Sequence, residues 1–137
     1  MQLPLPTLYF ENKAGRLLED PAGFLRAHWS EQERDELTFR ALFNHMVQAL
    51  RRHGWYRILI DQRQMRAFST AEQQWIVQEW LPRAVTEGGY RFGAIVVSED
   101  VFTRLATAYV TTSVQGLPLV YRTFTEEAAA VAWLRQQ

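Results

Sequence analysis

The sequence predicts an α/β fold: a mixed sheet with antiparallel strands at its start, then parallel strand–helix units whose helices pack on the sheet. Three observations carry this. The first part of the chain alternates short β-rich runs with turn chemistry. Later, three apolar runs, at residues 56–61, 92–97 and 119–124, are each followed by a helical pattern. Parallel strands need crossover connections, and helices supply them.

In chain order, Thr7-Leu8-Tyr9-Phe10 reads as a strand and Asn12-Lys13-Ala14-Gly15 as a turn. Arg16-Leu17-Leu18-Glu19 resumes the extended pattern, Asp20-Pro21-Ala22-Gly23 turns again, and residues 24–29 follow as a third strand. Ser30 and Glu33 have capping-box spacing. Beyond them Phe39, Leu42, Phe43, Met46, Val47 and Leu50 share one helical face. Arg51, Arg52 and His53 suit the negative end of that helix, and Gly54 is placed to stop it.

After the strand at 56–61, Ser69 and Glu72 form a second capping box. The helix they open turns Trp75, Ile76, Trp80, Leu81 and Ala84 inward. Pro82 lies within that pattern, so a kink or a second short helix is expected there. Gly88-Gly89 ends the helix, and residues 92–97 form a strand apolar enough to be covered on both faces. Ser98-Glu99-Asp100 caps a helix carrying Phe102, Leu105 and Tyr109. A last strand at 119–124 leads to Thr125, read as the cap of a closing helix with Glu126 and Glu127 in its first turn.

Composition bounds the function. The chain has 137 residues, the length of one domain (1–137) that buries about two thirds of its unfolded surface. Fifteen basic residues balance fifteen acidic ones, so nothing draws the chain to nucleic acid or to an anionic membrane. The absence of cysteine removes disulfides and thiolate metal sites and suits a reducing, cytoplasmic setting. No apolar run reaches the length of a membrane span, and Met1-Gln2-Leu3-Pro4-Leu5-Pro6 does not read as a secretory signal.

The chain order resembles the STAS fold of the SpoIIAA-like anti-sigma-factor antagonists and their relatives. The features that carry the resemblance are the antiparallel N-terminal strands, Ile58-Leu59-Ile60-Asp61 as central strand, and the tail from Tyr121-Arg122-Thr123-Phe124-Thr125-Glu126-Glu127 into an alanine-rich helix ending at Trp133-Leu134. Gln74-Trp75-Ile76 and Glu79-Trp80-Leu81-Pro82-Arg83 have the same character. The resemblance covers nearly the whole chain and implies a non-enzymatic regulatory module working through contacts with another protein or with itself. In the phospho-regulated members the central strand is followed by Asp-Ser-Ser/Thr-Gly. Here the stretch is Met65-Arg66-Ala67-Phe68-Ser69-Thr70-Ala71-Glu72, in which Ser69 takes the serine's place without the flanking aspartate and glycine. A phosphate on Ser69 would sit at a helix N-terminus, where a dianion is stabilised.

In open α/β sheets ligands collect outside the carboxyl ends of the strands. Asp61, Arg63, Arg66, Ser69, Thr70, Ser98 and Thr125 are expected on that rim, as a ligand- or partner-binding surface or simply as helix caps and loop ties. No catalytic set is expected: there is no Gly-x-Ser-x-Gly turn, no glycine-rich phosphate loop, and no histidine placed on the rim beside Asp61. His28, His45 and His53 have no acidic residues completing a ligand set, so no metal and no cofactor are predicted. A second function stays open. Some SpoIIAA-like sequences also look like the CRAL-TRIO lipid-binding fold, and a Trp- and Phe-lined crevice of a few hundred cubic ångströms would take a small apolar ligand.

Overall fold

The computed structural model describes residues 4–114 and 116–137. Residues 1–3, part of the stretch read for a secretory signal, lie outside them. Six strands form one sheet: β1 (Thr7–Asn12), β2 (Gly15–Asp20), β3 (Phe24–Trp29), β4 (Arg57–Asp61), β5 (Phe92–Val96) and β6 (Val120–Phe124). Their spatial order is β1-β2-β3-β4-β5-β6. β1–β2 and β2–β3 are antiparallel, and every later pair is parallel. The fold class read from the sequence is therefore the observed one.

The helices divide unequally between the two faces. One face carries α1 (Glu36–His53), α2 (Thr70–Trp75), a π-helical turn at Ile76–Trp80, α3 (Leu81–Thr86) and α4 (Val101–Thr112). Their inward residues meet Leu17, Leu25, Ala27, Trp29 and Ile58 in the larger core. The centre of that core is aromatic: Phe43 lies edge-on to Trp80 at 4.6 Å between ring centroids, and Trp29 lies edge-on to Phe68 at 5.3 Å. The Trp80 indole N–H donates to the Phe43 carbonyl at 2.8 Å, which satisfies its one polar atom in the interior. Among the described residues the opposite face carries only α5 (Glu127–Arg135), which seats Ala130 and Leu134 on Phe24, Leu59, Ala94 and Val96.

Helix ends follow local chemistry, with two corrections. The box expected at Ser30 and Glu33 is five residues downstream: Asp35 accepts from the Thr38 N–H at 2.8 Å, and the Thr38 hydroxyl accepts from the Asp35 N–H at 3.2 Å. Ser30 instead closes a tight turn by accepting from the Gln32 N–H. At Asp35 the box is complete, with Thr38 answering the cap from the third helical position. The second correction concerns Thr125, which does not cap α5. Glu126 holds that position and makes no side-chain cap bond.

The box at Ser69 and Glu72 forms as the spacing predicts. Gly54 ends α1 in the left-handed conformation (φ 67°), a region costly for residues with a Cβ. Pro82 falls in the first turn of α3, directly after the π-helical turn. The lost proline donor is thus absorbed at a helix start, the second of the two outcomes expected for it.

The apolar residues that mark α4 do not line the core. Phe102, Leu105 and Tyr109 are 71%, 63% and 52% exposed, while Thr103, Ala106, Thr107 and Val110 are buried. The inward face of α4 is made of small and hydroxyl residues because the Thr107 hydroxyl donates to the Gln62 side-chain carbonyl at 2.8 Å, a buried polar pair. Around it the interior leaves a space of about 30 Å³, lined by Gln62, Thr107, Phe43, Trp80, Tyr90 and Tyr121 among others. The Tyr90 hydroxyl, fully buried beside the Tyr121 ring, has no well-formed hydrogen bond there among the described residues. A space of that size suits a water molecule and not a lipid chain.

Candidate functional site

Because α5 covers only part of its face, the register of the sheet leaves a polar row in the open. Glu11 on β1 pairs with Arg16 on β2, Arg16 with His28 on β3, and His28 with Asp61 on β4. Side chains of paired residues share a face. The alternation that puts Leu17, Ala27 and Ile60 toward the larger core therefore turns Arg16, His28 and Asp61 the other way. Asn12, Ser30, Gln32, Arg63 and Gln64 complete an open groove of about 640 Å³ at this corner.

Asp61 organises the groove. Its carboxylate accepts from the Arg63 backbone N–H at 3.1 Å and from the guanidinium Nε and Nη2 at 3.0 and 2.8 Å. His28 Nδ1 lies 3.2 Å from the second carboxylate oxygen. Partial burial alone would raise the Asp61 pKa, but the hydrogen bonds from His28 and Arg63 outweigh it and hold the carboxyl well below the usual carboxylate range. The Asp61 side chain is thus an anion at every physiological pH, clamped from two sides. Glu127 at the start of α5 comes to 3.1 Å from Arg26 and 3.9 Å from Arg63, which ties the helix to the same corner.

His28 corrects the expectation that no histidine stands on the rim. Linear spacing could not reveal it, because Asp61 is thirty-three residues away. The signal was the register: His28 precedes the last residue of β3 as Asp61 ends β4, and parallel pairing of those ends makes them neighbours. A His–Asp pair is two thirds of a familiar hydrolytic set. The one hydroxyl in the groove lining, that of Ser30, is engaged in its local turn.

The other expected rim residues fall into two further places. Ser98, Thr125 and Arg63 line a smaller depression of about 430 Å³ with Glu99, Asp100 and Arg104. Ser98 is buried and accepts from the Asp100 N–H, while Asp100 itself caps α4 by accepting from Thr103. Arg66, Ser69 and Thr70 form a third place, beside Arg34. Arg66 donates to the Glu31 carbonyl at 2.9 Å. Ser69 accepts from the Glu72 N–H and donates its own N–H to the Glu72 carboxylate, so it is committed as a cap.

Arg34, which the sequence does not mark, holds that third place together. Its side chain is 5% exposed, and its guanidinium grips Glu72 at 2.8 and 2.9 Å and donates to the carbonyls of Arg66 and Ala67. Phe68, Trp29 and Phe39 stack around it at 5.4–5.9 Å. The loop before Ser69 is therefore tied to the sheet by one buried cation. Among the described residues, no three metal-binding side chains gather at any point.

A family model described as SpoIIAA-like matches residues 24–135, nearly the whole fold apart from β1 and β2, and the chain belongs to that family. No curated protein matches the sequence.

Proposed function

We propose that this SpoIIAA-like chain is a non-catalytic regulatory module that docks another protein on the polar groove of its open sheet face. The observation that supports this most is the row Glu11–Arg16–His28–Asp61, four alternating polar residues presented across four strands beside Arg63. A shallow surface of fixed, opposite charges selects a partner by complementarity more than by enclosure. The clamped Asp61 is an electrostatic feature of fixed sign, suited to recognition and not to proton transfer. Phosphorylation at Ser69 is the weaker part of the proposal, because the cap with Glu72 already occupies the hydroxyl. A cytoplasmic setting fits the cysteine-free sequence.

The test compares wild type with Arg16→Glu plus Arg63→Glu as baits in native host lysate, with captured proteins identified by mass spectrometry. Proteins bound by wild type and lost from the charge-reversed bait support the reading. Identical captures, or a small molecule retained by wild type in native mass spectrometry and absent from the variant, would overturn it.

A further inference from the structure

A second surface, at the edge of the sheet opposite β1 and independent of the proposal above, lies along β6. The two edges of the sheet are not equivalent. β1 breaks its register between Leu8 and Phe10, the irregularity by which natural sheets blunt an edge. β6 is regular along its whole length, from Phe92↔Val120 to Val96↔Phe124, and contains no proline, lysine or bulge.

The pairing fixes which backbone groups are spoken for. The Val120 N–H bonds to the Arg91 carbonyl, and the Phe124 carbonyl accepts from the Val97 N–H, so Val120, Arg122 and Phe124 turn their polar groups toward β5. In a parallel ladder the intervening residues turn theirs away. The N–H and C=O groups of Tyr121 and Thr123 therefore point outward and meet no backbone partner among the described residues, as a template for one more strand.

The flanks of this edge differ chemically. On one side, Thr123 faces α4 across a groove of about 370 Å³ whose apolar residues Val97, Val101, Leu105 and Ala108 are joined by Glu99 and Arg104 at one end. The exposed Leu105 borders it, with Phe102 and Tyr109 on the same helix. On the other side, Arg122 is exposed, lies 5.5 Å from the Phe124 ring, and has no acidic partner among the described residues.

We propose that β6 accepts an extended segment of another protein as a seventh strand, apolar side chains alternating toward α4 and acidic ones toward Arg122. Main-chain bonds to Tyr121 and Thr123 supply affinity, and the two flanks supply the pattern. A second copy of this chain fits less well. Antiparallel self-pairing centred on Arg122 sets two guanidiniums directly opposite, and centring on Tyr121 or Thr123 leaves them diagonal neighbours on one face with no acid between.

The probe is a labelled, acetylated eight-residue peptide alternating valine and glutamate, read by fluorescence anisotropy. Its controls are the same composition in two blocks and the alternating peptide with every second amide N-methylated. The alternating peptide is expected to bind roughly tenfold tighter than the blocked one, and N-methylation on the edge-facing amides to abolish binding. Thr123→Pro removes only an outward N–H, so the domain keeps its thermal midpoint while binding is lost. Leu105→Glu serves if that variant does not fold, and Arg122→Glu shifts preference to a valine–lysine peptide. Equal binding of the blocked peptide, no binding by folded wild type, or unchanged binding to Thr123→Pro or Leu105→Glu would overturn the proposal. So would micromolar self-association in sedimentation that Thr123→Pro removes, which assigns the edge to a second copy. Arg16→Glu alone, on β2 and in the polar groove only, leaves peptide binding intact, which separates this surface from the polar groove.

Discussion

The two faces of the sheet are built from the same strands and solve opposite problems. On the face under α1–α4, residues such as Leu17, Ala27 and Ile58 meet a core of edge-on and tilted aromatic rings and are sealed. On the other face a single nine-residue helix covers Phe24, Leu59, Ala94 and Val96, and the strands beyond its reach turn polar. The difference teaches that the coverage of each face, more than strand propensity, decides what each strand position can hold. β3 shows this within six residues: Leu25, Ala27 and Trp29 are buried on one side, while Arg26 and His28 are only partly covered on the other.

The comparison breaks most severely at its sealed side. Trp80→Ala removes a side chain that is 2% exposed and abandons the Phe43 carbonyl. A loss of about 4 kcal/mol is expected in urea unfolding, with a cavity left behind. A loss under about 1 kcal/mol would mean that the aromatic cluster is loosely packed.

Next in size is the buried cation at the margin of that face. Arg34→Met keeps the apolar stem over Trp29 and Phe39 but strands Glu72 and two loop carbonyls. The expected cost is about 3 kcal/mol, with faster amide exchange in residues 65–69 as the local signature. Arg34→Lys should recover the charge and only part of the stability, because the fork that spans Glu72 is gone.

On the open face the expected effects shrink and become pH-dependent. Asp61→Asn removes an anion held by His28 and Arg63, at a cost of about 2 kcal/mol at neutral pH. The folded-state pKa is depressed, so this contribution is complete above the unfolded value of about 3.9 and is lost as pH falls through the lower folded value. The gap between wild type and variant in thermal midpoint should therefore persist down to about pH 5 and close only in strong acid. A gap that vanished by about pH 5 would show that Asp61 is not clamped. Smallest is Ser69→Ala, an exposed cap worth about 1 kcal/mol in the same unfolding assay.

Legibility in the sequence follows the range of the signal. The strand–helix alternation, the cap at Ser69 and the stop at Gly54 depend on residues a few positions apart, and each is present where the pattern puts it. Pro82 was legible as an interruption, though not as a π-helical turn, because that turn depends on how Ile76 and Trp80 seat in the core. The competition between Ser30 and Asp35 was harder, since both precede the same periodic run. The site was legible only by halves. Asp61 and Arg63 are two residues apart and visible together. Glu11, Arg16 and His28 join them through pairing register, which no local pattern encodes. Arg34 was invisible for the same reason, being one arginine among many until Glu72 is folded against it.

The spatial order β1-β2-β3-β4-β5-β6 also bears on how the chain assembles. Each strand joins the edge left by the one before it, and none inserts between two already paired. A chain emerging from the ribosome can lay down the β1–β3 meander, add β4 once α1 has formed, and extend the sheet one unit at a time without undoing a pair. The frontier edge advances with synthesis from β3 to β6, so the strand made last among those described is also the one with a single neighbour.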